Sequence, residues 1–133
     1  LEAARHATVT LAPALGPGDP LANHLRDQAG LIEFQMALDP HGHPDLQAWF
    51  EASAPWTARR LRPGVPEEHG DVAHDEEGWH LRFFAEAGVD RDVPVHRFRN
   101  LLGGLRPGEV LTLRAPDGAE TAWRVVDVRA AVP

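Results

Sequence analysis

A chain of 133 residues with 43% hydrophobic side chains is long enough to build one domain around one core. Its formal charge of −7 disfavours a nucleic-acid backbone, which is bound through clustered cations. The absence of Cys, Lys and Tyr excludes disulfides, thiolate nucleophiles, iron–sulfur clusters, Schiff bases, a P-loop lysine and phenolic acids.

The opening residues LEAARHATVTLAP have neither an initiator Met nor the charged start and apolar segment of a signal peptide, as expected of a trimmed or processed chain. No apolar run approaches the ~20 residues a membrane helix needs. The compartment stays open, with the cytoplasm as the favoured expectation. All 13 basic residues are Arg, and Ile32 and Ser53 are single occurrences, a bias expected of a GC-rich bacterial genome.

Period-two alternation in ATVTL, with Ala7, Val9 and Leu11 against Thr8 and Thr10, predicts a strand. GDPLANHLRDQAG then has the marks of a short helix, with Asp19 as N-cap, Pro20 in the first turn, Leu21 and Leu25 one turn apart and Gly30 as the stop. LIEFQMAL alternates again and predicts a second strand. A second helix is expected from near His43-Pro44-Asp45, burying Leu46, Trp49 and Phe50 on one stripe.

TARRLR reads as a strand closed by Pro63, and PEEHGDVAHDEEGWH, residues 66–80, as a mobile acidic hairpin loop. The next strand is predicted in GWHLRFFAEAG. Asp92 and Pro94 open an expected third helix in which Val95, Phe98, Leu101 and Leu102 recur at helical spacing before Gly103-Gly104. The last segment predicts a hairpin, with EVLTLR and ETAWRVVDV joined around Pro116-Asp117-Gly118. These elements imply a single α+β domain over residues 1–133, a mixed or antiparallel sheet of about five to six strands with about three short helices and a C-terminal β-hairpin.

The acidic stretch combines His69, His74 and His80 with carboxylates, a ligand set suited to zinc and related divalent metals. Its spacings of five and six residues put the imidazoles on no common face of a regular element. The second histidine group is LDPHGHPDL. His41-x-His43 resembles the pair that opens metal sites in amidohydrolases, and His41-x-His43-x-Asp45 resembles the first part of the metallo-β-lactamase signature, departing from it at Leu46 where that signature has another His. His43-Pro44-Asp45 also resembles the tripeptide of J-domain cochaperones, but it follows a predicted strand in a chain without Lys. A metal-binding module or metal-dependent hydrolase would draw on His41, His43, His69 and His74, with a divalent metal such as Zn.

Nucleophilic catalysis finds little to use, because Ser53 lacks the Gly-x-Ser-x-Gly turn that activates a serine. Trp49 and Trp79 fall on apolar stripes and are expected in the core. Trp56 follows Pro55 and lies close to Arg59 and Arg60, a composition common at interfaces. A small-ligand pocket between helices and sheet is neither supported nor excluded. The favoured expectation is therefore a non-enzymatic accessory or protein-interaction module without cofactor. Like small immunity proteins, it would capture a protein partner through loops around residues 55–78. Trp56, Arg59, Arg60, Glu67, Glu68, Asp71 and Asp75 would carry the contact.

Overall fold

Apolar and polar side chains alternate through most of the chain, and the backbone follows that alternation. The structure, a computed structural model, describes residues 5–14, 30–84, 94–101 and 103–131. Within them the strands are β1 (Arg5–Pro13), β2 (Leu31–Leu38), β3 (Thr57–Leu61), β4 (Glu68–Asp75), β5 (Gly78–Phe84), β6 (Val95–Arg99), β7 (Val110–Arg114) and β8 (Glu120–Ala130). One short helix, α1 (Leu46–Glu51), lies between β2 and β3. Each strand pairs antiparallel with the next, and β8 returns to β1, so the eight form a closed barrel.

Directly opposed residues share a face, so the register identifies the inner wall. Val9 faces Phe34, and Phe34 faces Ala58. Val72 faces Leu81, Phe98 faces Leu113, and Leu111 faces Trp123. All of these are buried, with Val9, Leu11, Ile32, Met36, Leu81 and Val125 fully so. An eight-stranded barrel is about wide enough for such side chains to fill or for one small ligand. Closure also leaves no free sheet edge among the described strands.

The outer wall carries charges in cross-strand pairs. Arg59 bridges Glu33 at 3.1 Å and Glu67 at 3.0 Å, Arg82 clasps Asp71 through two bonds, and Arg97 does the same for Asp75. A barrel immersed in lipid presents the reverse pattern, an apolar band outside. Among the described residues, no helix is long and apolar enough to cross a membrane.

At Gly70, opposite Phe83, β4 has no room for a side chain against β5. A Cβ placed there would fall 1.6 Å from the Arg82 carbonyl oxygen, so only glycine fits this crossing of β4 and β5.

The α+β expectation is overturned by this barrel. Its first helix, over residues 19–30, falls outside the described residues except for Gly30, which is buried with φ 71°. The second exists: Asp45 is its N-cap and its carboxylate accepts from the Ala48 amide, but the helix is six residues long and Phe50 is 67% exposed rather than buried. The expected third helix, whose Asp92 and Leu102 lie outside the described residues, is instead strand β6 over Val95–Arg99, pairing with β5 and β7 until Asn100 turns the chain at φ 62°. The acidic stretch is not a mobile loop either. Residues 68–75 form β4, and only Glu76 and Glu77 make the hairpin turn into β5. The expected strands in ATVTL, LIEFQMAL and TARRLR are present, as is the one in GWHLRFFAEAG over Gly78–Phe84, its residues 85–88 lying outside the described residues, and so is the C-terminal hairpin, with Gly118 at φ 89° in its turn.

Candidate functional site

The barrel has two chemically different ends. At the lower end, where β4 runs into β5, Trp56 stacks on Trp79 at 5.8 Å and Trp49 meets Trp79 edge-on. The Trp49 indole donates to the Val72 carbonyl, which ties α1 to the barrel. Leu105, in the β6–β7 connection at the same end, is 1% exposed, and its amide donates to the Gly42 carbonyl. This end is an aromatic plug.

At the upper end, where β3 turns into β4, the inner wall becomes polar. Arg60 faces Ile32 on one side and Glu68 on the other, so it projects inward, and its guanidinium carbon lies 5.8 Å from the centre of the Trp123 ring. Burial holds its pKa below the ordinary arginine value, and Arg62 acts in the same direction. Arg62 forms an ion pair with Glu68 through Nη2, while its buried Nε has no hydrogen-bond partner among the described residues.

His96 completes the group from β6. It faces Leu81, stands edge-on to Phe83 at 5.5 Å, and keeps a buried Nδ1 without a hydrogen-bond partner among the described residues. Burial pushes its pKa below the usual imidazole value, with Arg60 and Arg62 adding to that push and Glu68 and Asp117 opposing it. Buried polar atoms left unpaired are costly, and groups displaced from their ordinary pKa in a concave setting mark candidate binding sites.

A cleft of about 460 Å³ adjoins this group. Its lining includes Ala12, Leu31 and Leu61, which face outward, and Pro13, Gly30 and Arg62 on the inner side, so it straddles the rim. Val65 and Leu31 remain 44% and 41% exposed there. The cleft and the charged group meet at Arg62.

The residues singled out in the sequence are distributed over both walls and both ends. Trp56 is 3% exposed, not a surface aromatic. Arg59 and Glu67 pair with each other on the outer wall; Arg60 and Glu68 belong to the upper inner group; Asp71 is buried against Arg82, and Asp75 is held by Arg97. His41 and His43 donate their backbone amides to Asp39 Oδ1 in the loop after β2. His69 lies near the start of β4, 3.0 Å from Glu67, and His74 near its end, against Trp79. Among the described residues no group of three or more His, Asp or Glu could hold a metal ion.

Sequence reasoning passed over Arg62, His96 and Trp123 as a unit. The available signal was alternation: His96 and Phe98 share one face of VHRFR, and a polar residue on the face of a buried Phe marks a change inside the barrel. Comparison with protein-family models, curated proteins and solved structures yields no match.

Proposed function

We propose that this protein is a non-enzymatic binding barrel that holds a small, largely apolar molecule at its upper rim. The observation that carries this reading is the rim cleft of about 460 Å³, apolar over Leu31, Leu61 and Val65, with the unpartnered Nε of Arg62 in the adjoining wall. Small-molecule sites are concave, mostly apolar, roughly 300–1,000 Å³, and oriented by a few convergent polar groups. Capture of a protein partner through residues 55–78 has less to work with. Arg59, Glu67, Asp71 and Asp75 are already engaged in intramolecular pairs, and a partner would have to displace an arginine from each carboxylate.

The reading is tested by thermal melts against a panel of small apolar and amphipathic compounds. A compound at a hundred times its Kd stabilises the folded state by about 2.7 kcal/mol, a clear rise in Tm. Leu61→Trp, which fills the cleft, should abolish that rise. If no compound raises Tm, or if Leu61→Trp leaves the rise unchanged, the cleft is not a binding site.

A further inference from the structure

We infer that Arg62 sets the polar specificity of the rim cleft: the molecule held there ends in an oxygen acceptor, a carbonyl or a carboxylate, that receives the Arg62 Nε–H while its apolar body lies in the cleft. This rests on the rim-cleft reading above and adds the chemical class of the ligand's polar end.

Net charge does not choose the ligand. The lining contains both Arg62 and Glu67, and Glu68 stands on Arg62 Nη2, so charges of both signs meet at the rim. Hydrogen-bond direction separates them. Both Glu67 oxygens already have a partner, Oε1 in Arg59 Nη1 at 3.0 Å and Oε2 in His69 Nε2 at 3.0 Å. Arg62 Nε can only donate, and it is buried with no acceptor among the described residues. The buried side-chain group left unmatched in the lining is thus a donor. An oxygen acceptor matches it; an ammonium or a bare hydrocarbon does not.

Other arginines of the barrel show what this donor lacks. Arg82 gives Nε to Asp71 Oδ1 at 2.7 Å, and Arg97 Nε lies 3.0 Å from Glu77 Oε2. Arg62 commits Nη2 to Glu68 and leaves Nε over. A buried donor without an acceptor is destabilising, so a ligand that supplies one recovers that loss, whereas a ligand without one seals the donor in.

Gly30 fixes where the donor stands. A Cβ at Gly30 would fall 2.9 Å from Arg62 Cγ, so the missing side chain lets the Arg62 stem lie against the start of β2 in the cleft wall. Beyond that stem the side chain reaches the surface and is 32% exposed as a whole. Turning its last torsions brings Nε to the cleft while the stem stays on Gly30. The apolar body of the ligand then lies along Leu31, Leu61 and Val65.

The experiment is titration calorimetry of the full chain with three probes of matched length: 2-nonanone, a neutral acceptor; nonanoate, a charged acceptor; and nonylammonium, which only donates. It is repeated on Arg62→Met and Arg62→Lys after thermal melts establish that each is folded. Both acceptors should bind tighter than nonylammonium. Arg62→Met, which keeps an apolar stem without a donor, should weaken both acceptors about tenfold and leave nonylammonium unchanged. Arg62→Lys keeps the charge but puts a carbon where Nε stands, and it should still weaken 2-nonanone. Nonylammonium binding as tightly as the acceptors, 2-nonanone unaffected by both Arg62 variants, or an equal loss for all three probes overturns the acceptor assignment while the rim remains a binding site. A loss confined to nonanoate also overturns it, because Arg62 would then act through its charge. Failure of all three probes to bind overturns the acceptor assignment and the rim-cleft reading together.

Discussion

At the scale of single residues, space is the severest constraint, and Gly70 shows it. An alanine there has to push its methyl into the Arg82 carbonyl oxygen, 1.6 Å from the ideal Cβ position, with Phe83 Cα only 2.9 Å away. Neither obstacle is a flexible side chain. Gly70→Ala should therefore lose about 1–3 kcal/mol or more in urea unfolding, as β4 and β5 separate to admit it. Gly103 supplies the contrast, since its added Cβ meets the far end of the Glu109 side chain, which can swing away. Gly103→Ala should stay within about 0.5 kcal/mol of the parent, and equal losses at the two positions would refute the close-crossing argument. Residue identities pointed to part of the site, since Arg60 and Glu68 stood out in the sequence. Their direction did not. Whether an arginine in TARRLR faces the core or the solvent depends on register with β2 and β4, and adjacent Arg59 and Arg60 point to opposite walls.

Among the elements, strands declared by strict alternation were legible, and those with mixed periodicity were not. Val95, Phe98 and Leu101 fit a helical spacing as well as they fit anything in a five-residue strand, and tertiary pairing on both sides decides for β6. β4 was hidden for a different reason. Its acidic and histidine side chains resemble a solvated loop, but Asp71 and Asp75 face outward into Arg82 and Arg97 while Val72 faces the core. The alternation of Gly70, Val72 and His74 against Asp71, Ala73 and Asp75 was present but spanned too few apolar residues to stand out. Native-state hydrogen exchange separates the two descriptions. Amides of Val72 and Ala73, inside a strand paired on both sides, should be strongly protected, and those of Glu76 and Glu77 at the turn should exchange early. Fast exchange across 68–75 would mean that β4 is not a stable strand of the barrel in solution.

The whole barrel depends on a contact no local pattern announces, the pairing of β1 with β8 from opposite ends of the chain. Closing the sheet sets two histidines where water is scarce. His80 on the outer wall is 6% exposed, with Nδ1 3.9 Å from Asp75 and Arg82 and Arg97 nearby; His96 sits at the upper inner wall near Arg60, Arg62 and Glu68. In both, burial is the largest cause of a lowered pKa, opposed at His80 chiefly by Asp75 and at His96 chiefly by Glu68. Unfolding returns each imidazole to about 6.5. Below that value the unfolded chain takes up protons that the folded barrel resists, so it binds more protons and gains relative stability as pH falls. The stabilisation associated with the neutral imidazoles is thus complete above pH 6.5 and declines as pH drops through 6.5 toward the lowered folded values. Asp75, held well below the usual carboxylate range by Arg97, keeps its charge through this interval and adds no slope there. Thermal melts should show Tm level from about pH 8 to 7 and falling between about pH 6.5 and 5, with a shallower fall in His80→Gln and in His96→Gln. A Tm that is flat or rising toward pH 5 would mean that the folded barrel admits these protons as readily as the unfolded chain does.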